Sequence, residues 1–229
     1  MRNDSWNLPA PPGFQGLDPI KPMTQYVRHL PHWRQDGATY FVTFRLADSL
    51  PQSKPHELRG IKEEWVRRHS PPRSQADWEI LHRELTQFAE KWLDQGFGSC
   101  VLADKRASAI VVNSMHHFDN DRYDLNCHVV MPNHVHLLVR PLRPGQYPLE
   151  TILQSWKTYT SREIHRQVGG AGTLWQEESF DRIVRDEEHL YRCIQYIGRN
   201  PLRADCSLEQ CQYWLRPEWE QIGWKFNEP

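Results

Sequence analysis

The segment NCHVVMPNHVHLLVR, residues 126–140, contains two short apolar runs separated by a proline and an asparagine. Both runs are rich in valine and leucine, and β-branched residues over so short a distance favour strands over a helix. We therefore predict two strands, residues 123–131 and 134–140, joined by a tight bend. His134 and His136 are two positions apart, so both imidazoles leave the same face of the sheet. Two ring nitrogens in that arrangement can hold one metal ion.

The other elements follow from periodicity and from residues that begin or end helices. The alternation in TYFVTFRL predicts a strand over residues 39–46,. Apolar residues at helical spacing predict helices at about residues 55–69, 74–96, 104–118, 148–168 and 186–199. A less regular apolar pattern predicts one more strand over residues 174–184. We expect Pro201 to prevent the last helix from continuing.

In chain order these elements are strand, helical hairpin, helix, strand, strand, helix, strand and helix. Without the inserted helical hairpin at 51–98, this is the split β-α-β order of a ferredoxin-like α+β fold, an antiparallel sheet with helices on one face. Residues 1–35 are rich in proline and lack a sustained period, so we expect an N-terminal arm and a main domain over 36–204,. The aromatic-rich C-terminal tail, residues 205–229, is expected to dock onto the core.

The chain has 229 residues, of which 38% are hydrophobic and 25% charged, and its net charge is −1. These fractions are ordinary for a globular protein with a single core. The net charge gives no global support for nucleic-acid binding, although residues 140–203 carry a slight basic excess,. A groove needs only a few well-placed cations to follow a phosphate backbone.

The five cysteines are scattered and form no C-x-x-C pair. This pattern argues against a disulfide framework and against a cysteine zinc site, so we expect reduced cysteines that mostly pack. No apolar run is long enough to span a membrane, and the N-terminal residues lack the apolar region of a signal peptide,. We therefore expect a cytoplasmic protein without a membrane partner.

A His-X-His pair is a weak indication by itself, because two such histidines can also be partly exposed or hydrogen-bonded polar groups. Tyr196 and Asn200 are four positions apart on the last predicted helix, so they are separated by about 40° and point into the same space. The alternative is that Tyr196 is an aromatic at the core edge and Asn200 ends the helix before Pro201. The residues alone leave both interpretations open.

Several separated motifs occur together in this chain: LPHWR, YFVTFRLADSLP, LDQGFGSCVL, HFDNDRY, MPNHVHLLV, QSWKTYTSREIH, LWQEESFDRIVRDEE and YIGRNPLRA. In this order they resemble the REP-associated tyrosine transposases of the single-tyrosine HUH nuclease and transposase superfamily. The resemblance covers about residues 27–205 and implies that residues 36–204 form an HUH transposase domain. The asparagine at 200 matches this branch, where more distant relatives have glutamine.

The resemblance implies that Tyr196 is the nucleophile and that His134, His136 and Asn200 hold a divalent ion, Mg²⁺ or Mn²⁺. An amide oxygen with two imidazoles leaves coordination positions open for phosphate and water. Attack of Tyr196 on a DNA phosphate would give a 5′-phosphotyrosine link and a free 3′-OH. An ordinary tyrosine has a pKa of about 10, so the reaction needs activation, and the ion is the expected source.

The implied substrate is single-stranded DNA folded into a hairpin, as in palindromic repeats, and the implied protein is a monomer or homodimer. Candidate phosphate contacts are Arg140, Lys157, Arg162, Arg166, Arg185 and Arg199,. Trp156 or Trp175 is a candidate for stacking on a base, and each of these residues suits a surface or packing role equally well. We leave His128 out of the site because it precedes the bend.

Two other functions remain open. One is a nucleic-acid-binding module on the same fold that does not cut DNA. The other is a replication-initiator or relaxase-like nickase that shares the chemistry. Salt-dependent binding that survives loss of the tyrosine would favour the first, and a plasmid origin next to the gene would favour the second.

Overall fold

The computed structural model describes residues 8–27, 31–71 and 74–227. The strands are β1 (Thr24–Val27), β2 (Pro31–Arg34), β3 (Tyr40–Arg45), β4 (Tyr123–Val130), β5 (His134–Pro141), β6 (Phe180–Ile183) and β7 (Gln212–Leu215). The α-helices are α1 (Lys54–Arg68), α2 (Gln75–Leu93), α3 (Lys105–His116), α4 (Leu149–Gln167), α5 (Glu187–Arg203) and α6 (Pro217–Glu220). None of the helices in these ranges combines the length and apolar character that crossing a membrane requires.

The central feature is a five-stranded antiparallel sheet in the order β6-β3-β5-β4-β7. Its first four strands have the order expected of a split β-α-β arrangement, so the predicted α+β class with an antiparallel sheet is confirmed. β1 and β2 form a separate two-stranded sheet within the proline-rich N-terminal segment, where we predicted no strands. The strand β7 was also not predicted, because it is only four residues long.

One face of the sheet is covered by α3 and α4. Val135, Leu137 and the other side chains of the same parity on β5 are fully buried there, against apolar residues of both helices. Trp156 of α4 donates its Nε1 hydrogen to the Tyr123 hydroxyl at 3.0 Å, and that hydroxyl donates to the Met115 carbonyl oxygen. These two hydrogen bonds satisfy the buried polar atoms of Trp156 and Tyr123,.

The opposite face is covered by α5 and by the C-terminal segment, so the prediction that helices lie on one face needs correction. Leu138 of β5 packs there with Leu190 and Ile194 of α5. Trp219 and Trp224 are fully buried in the same cluster and donate to the backbone carbonyls of the N-terminal segment. Helix α5 follows the last strand of the split β-α-β unit, so it is not a crossover and is free to cover the second face.

Two predicted boundaries were wrong. The predicted strand 174–184 is β6 alone. Before β6, Trp175 forms an isolated bridge with Leu46, and the carbonyls of Gln176 and Glu177 accept from Lys157 instead of from a neighbouring strand. Helix α5 continues past Pro201 to Arg203. A proline so close to the end of a helix removes only one intrahelical hydrogen bond, which is why the helix tolerates it.

The inserted hairpin of α1 and α2 packs on the edge of the sheet. Ser74 and Asp77 form a capping box that begins α2,. Leu81 and Leu85 of α2 pack against Trp65 of α1 and against Phe180 of β6. This contact brings the end of α2 close to the face of the sheet that carries His134 and His136.

Candidate active site

The sheet places the two predicted histidines side by side on the face covered by α5. His134 and His136 lie on β5 opposite Arg45 and Thr43 of β3. Both imidazoles are fully buried, with 0% exposure. Their Nε2 atoms face each other at 3.0 Å. The period of the strand thus brings the two rings together, as the sequence predicts.

Asn133 fixes the protonation of His134. The Asn133 amide donates from Nδ2 to the carbonyl oxygens of Leu93 and Phe97, which turns Oδ1 toward His134. Because an amide oxygen only accepts, Nδ1 of His134 donates to it at 2.7 Å,. The Nε2 atom of His134 therefore carries a lone pair that points at His136.

Thr43 and Asn200 complete the set of donors around this lone pair. The Thr43 hydroxyl lies 2.7 Å from Nδ1 of His136, and Oδ1 of Asn200 lies 3.3 Å from Nε2 of His134. Without an ion, the 3.0 Å contact between the two Nε2 atoms is a hydrogen bond, so Nε2 of His136 must carry the proton. When Thr43 instead accepts from Nδ1 of His136, both Nε2 lone pairs and the amide oxygen are directed to one point.

Burial keeps both imidazoles neutral. It lowers the pKa of His134 to about 4 despite the contact with Asn200. It also lowers the pKa of His136 well below the ordinary histidine value, and the neighbouring His134 adds to that effect. A neutral imidazole is the form that binds a metal ion. The two rings are therefore ready to bind a cation at neutral pH without losing a proton.

Tyr196 and Asn200 lie on the same side of α5, and the helix brings both to the histidine pair. The Tyr196 ring packs edge-on against the His136 ring, with centroids 5.1 Å apart. The Phe41 ring stacks on His136 and lies edge-on to Tyr196, with centroids 5.7 Å from each. Asn200 is fully buried, and its Nδ2 atom has no hydrogen-bond partner among the described residues.

The Tyr196 hydroxyl is buried next to a carboxylate. It is buried and makes no hydrogen bond of ordinary geometry within the described ranges. Burial raises the pKa of Tyr196 well above its ordinary value, and the Glu90 carboxylate of α2 raises it further. The Arg203 guanidinium, 5.1 Å from the ring centroid, acts in the opposite direction. The phenol is therefore protonated at neutral pH.

The residues present fit a divalent cation. Nε2 of the neutral His134 lies 3.0 Å from Nε2 of His136 and 3.3 Å from Oδ1 of Asn200. Asn133 and Thr43 contact the other ring nitrogens, as orienting partners commonly do at metal sites,. In the part of the chain that the structure describes, no three or more His, Cys, Asp or Glu side chains are grouped to hold a metal ion. A metal site here therefore depends on the amide oxygen as its third protein donor.

Two of the predicted phosphate contacts are engaged elsewhere. Arg140 forms an ion pair with Asp124 near the far end of the sheet. Lys157 is buried, and its Nζ donates to the carbonyl oxygens of Gln176 and Glu177 at 2.9 Å. This geometry gives Lys157 a structural role in holding the loop before β6.

The other predicted cations are exposed but do not form one surface. Arg162 and Arg166 lie on α4, and both form ion pairs with Glu163. Arg185 follows β6 and Arg199 lies on α5, so these two are on the side of the sheet that carries the histidine pair. Their role as phosphate contacts stays a prediction.

The two tryptophans suggested for base stacking lie in the core. Trp156 and Trp175 are 3% and 4% exposed, and their Nε1 atoms donate to Tyr123 and Thr160. Neither ring has a face open to a nucleobase, so that suggestion was wrong. His128, which we left out of the site, lies on β4 opposite Leu137, on the other face of the sheet.

Besides Phe41, five residues near the site were not singled out from the sequence. Thr43, Asn133 and Glu90 act on the histidines or on the tyrosine, as described above. The guanidinium of Arg182 lies 4.8 Å from the Phe41 ring centroid, and that of Arg203 lies over Tyr196. Strand pairing could have indicated Thr43, which lies opposite His136. Arg182 lies opposite Phe41, which was not a predicted site residue.

Comparison with solved structures gives a distant structural similarity. No protein-family model matches the chain, and no curated protein sequence matches it. The structure is similar to that of a REP-associated tyrosine transposase solved with a bound REP hairpin. The TM-score is 0.43 at 16% identity, and the match covers 79% of this chain and 74% of the other. These values are too low to assign this chain to a family.

Proposed function

We propose that the protein is a metal-dependent tyrosine transposase, an endonuclease and strand transferase that acts on single-stranded DNA hairpins. One observation carries this proposal. The Nε2 atoms of His134 and His136 and the Oδ1 atom of Asn200 converge, and the Tyr196 ring packs directly against one of those imidazoles. The sequence motifs that surround these residues support the same class of enzyme.

His134, His136 and Asn200 would hold the ion, which we propose to be Mg²⁺ or Mn²⁺. A divalent cation bound to a phosphodiester neutralises charge on the non-bridging oxygens and makes phosphorus easier to attack. Histidine nitrogens with an amide oxygen suit Mn²⁺ well, and a site with only three protein ligands leaves room for the substrate.

Tyr196 would supply the nucleophile. Its phenolic oxygen forms a bond to phosphorus, the bond from phosphorus to the 3′ oxygen breaks, and the released 3′ oxygen takes up a proton. Because the phenol is protonated at neutral pH, its own proton must pass to an acceptor as the bond forms. The Glu90 carboxylate is next to the hydroxyl, and burial raises the pKa of Glu90, which makes it a better acceptor,.

The covalent link fits strand transfer better than hydrolysis. The phosphotyrosine ester conserves the energy of the phosphodiester, so a second 3′-OH can attack it and rejoin the strand. The exposed Arg203 lies over the Tyr196 ring and the exposed Arg182 over the neighbouring Phe41 ring, so both would be available to a phosphate backbone that reaches the tyrosine,. We propose a cytoplasmic location for this reaction, where DNA is accessible.

A covalent-adduct assay tests the proposal. The protein is incubated with an end-labelled single-stranded DNA hairpin and Mn²⁺, denatured, and separated on a gel. We expect a labelled adduct that disappears in Tyr196→Phe and after addition of a chelator. Tyr159→Phe, an exposed tyrosine on α4, should form the adduct as the parent does. An undiminished adduct in Tyr196→Phe would show that the nucleophile is wrong.

A second function is favoured by the buried hydroxyl. The Tyr196 hydroxyl is enclosed and faces a carboxylate, which suits a protein that binds DNA without cutting it. A binding module predicts hairpin affinity that falls with salt and is unchanged by Tyr196→Phe and by chelation. Cleavage of the labelled hairpin under any metal condition would eliminate this alternative.

A further inference from the structure

Arg45 is a buried cation next to the histidine pair. It is the last residue of β3 and is paired with His134 in the strand register. Directly paired residues of antiparallel strands have Cα atoms about 5 Å apart and side chains on the same face. Thr43, two positions earlier, contacts His136 on that face. Arg45 therefore leaves the sheet on the face of the candidate active site, and only 6% of the residue is exposed.

No carboxylate balances this charge in the ranges that the structure describes. Nη1 of Arg45 donates to the Leu46 carbonyl oxygen at 3.3 Å and to the Ser49 hydroxyl at 3.2 Å. Its Nε atom is buried and has no acceptor among the same residues. Burial alone lowers the pKa of Arg45 to about 10. Loss of hydration makes a buried guanidinium unfavourable unless an anion accompanies it.

A cavity of about 230 Å³ opens beside Arg45, between the sheet and the inserted hairpin. Its lining includes Arg59 and Lys62 of α1, which add two positive charges to that of Arg45. Glu178 also lines it, but the Glu178 carboxylate contacts His32 at 3.1 Å. The cavity thus has an excess of positive charge around a buried arginine.

The rest of the lining is suited to a nucleotide. Leu58, Leu85 and Phe180 supply apolar surface, and the side chains of Gln176 and Ser179 supply polar groups. Apolar and aromatic side chains pack on sugars and bases, while guanidinium groups bind phosphate oxygens in pairs. A simple inorganic anion would leave the apolar part of this lining unused.

We propose that this cavity binds a backbone phosphate of the single-stranded DNA substrate, one step along the strand from the phosphate at Tyr196. The proposal rests on the proposed function for the identity of the ligand. It gives the inserted hairpin a role, because α1 and α2 then form one wall of the DNA-binding cleft. It also explains why a buried arginine persists without a carboxylate, since the substrate supplies the anion.

The test measures hairpin binding without chemistry. Binding of a fluorescent single-stranded hairpin with unpaired flanks is followed by anisotropy, in a chelator, over a range of salt concentrations. Arg45→Met removes the charge and keeps an apolar stem. We expect its affinity to be about tenfold weaker or more, and the slope of log Kd against log salt to fall by about 0.7, the value for one single-strand phosphate contact.

Two further variants control this measurement. Arg106→Met removes an exposed arginine that pairs with Asp104 of the same chain segment, and it should leave affinity and slope unchanged. Arg59→Gln changes an exposed residue of the cavity lining, so it should fold normally and lower the slope by a smaller amount. The melting temperature of Arg45→Met should equal or exceed that of the parent, because a buried unpaired charge has been removed.

The outcomes separate this proposal from the proposed function. An unchanged salt slope in Arg45→Met and Arg59→Gln overturns the phosphate site, even if the parent forms the covalent adduct. A reduced slope supports the site, even if no adduct ever forms. Inorganic phosphate serves as a second probe in thermal melts. If it stabilises the parent more than Arg45→Met while DNA affinity is equal in both, the ligand is a free anion and the DNA assignment is overturned.

Discussion

Two histidine pairs lie on opposite faces of the same sheet, and they differ in what surrounds them. His134 and His136 face each other on one side with Nε2 atoms 3.0 Å apart. His116 of α3 and His128 of β4 do the same on the other side at 3.3 Å. Distance alone therefore does not distinguish a candidate metal site from a packing contact.

The second pair packs against an aromatic ring. The Trp214 ring lies edge-on to His116 at 4.6 Å and stacked on His128 at 5.8 Å. Among the residues described, no oxygen atom forms a hydrogen bond with Nε2 of His116 or with Nε2 of His128. The first pair has an amide oxygen at 3.3 Å and a fixed tautomer at His134. The third donor and the orienting partners, rather than the two rings, define the candidate site.

Removing an imidazole from the His134–His136 pair should have the largest effect on Mn²⁺ affinity and on adduct formation. We expect His136→Ala to lower Mn²⁺ affinity and the rate of adduct formation by at least about 100-fold, because the ion loses one of three protein ligands. Calorimetric Mn²⁺ titration and the adduct assay measure the two quantities. His117→Ala, an exposed histidine outside both pairs, is the matched control. Full Mn²⁺ affinity in His136→Ala would remove the distinction between the pairs.

Loss of an orienting partner should have a smaller effect. Asn133→Ala leaves all three ligands in place but frees Nδ1 of His134, and we expect about 10- to 100-fold weaker Mn²⁺ binding,. Excess Mn²⁺ should restore the rate of adduct formation, which a general loss of folding would not allow. Asn133→Asp still accepts from Nδ1 of His134, so it should recover part of the affinity. Equal losses in the two variants would contradict an orienting role.

The sequence predicts the parts of the site that depend on local geometry. His134 and His136 share a face because a strand repeats every two residues, and Tyr196 and Asn200 share a side because a helix repeats every 3.6. The order of the elements likewise predicts the sheet. Each of these relations involves residues close together in the chain, so spacing is enough to derive them.

The parts that depend on contacts across the chain could not be predicted. Thr43 is 93 positions from the histidine that it contacts, and Glu90 reaches Tyr196 from an inserted helix. Lysine is usually a surface residue, but the long apolar stem of Lys157 lies in the core while its Nζ reaches two carbonyl oxygens,. The face that α5 covers was also missed, because a helix after the last strand can pack on either side.

A fifth histidine, His32, differs from both pairs because its surroundings keep it charged. Burial by itself lowers the pKa of His32, but contacts with Asp181 and Glu178 outweigh it and raise the pKa to about 9. Because the pKa of His32 is higher in the folded than in the unfolded chain, its protonation stabilises the fold. This stabilisation is complete at pH values below the unfolded pKa of about 6.5, and it is lost as the pH rises through about 9,.

We therefore expect the free energy of unfolding to fall by on the order of 2 kcal/mol between pH 6 and pH 9. Urea denaturation at several pH values measures it. His32→Gln cannot be charged, so its free energy of unfolding should be lower at pH 6 and should vary less over this range. Parallel pH curves for the two proteins would show that His32 does not hold a proton in the fold.

The smallest effect should come from the second histidine pair. His116→Gln keeps a polar side chain at a half-buried position and removes one of two rings that face each other. Because the pair has no oxygen donor beside its Nε2 atoms among the described residues, we expect Mn²⁺ affinity and adduct formation to stay within about twofold of the parent. The stability change should be within about 1 kcal/mol, since only packing against Trp214 is altered,. A loss of Mn²⁺ affinity comparable to that of His136→Ala would mean that two facing imidazoles suffice for binding, and that the third donor is not what separates the two faces.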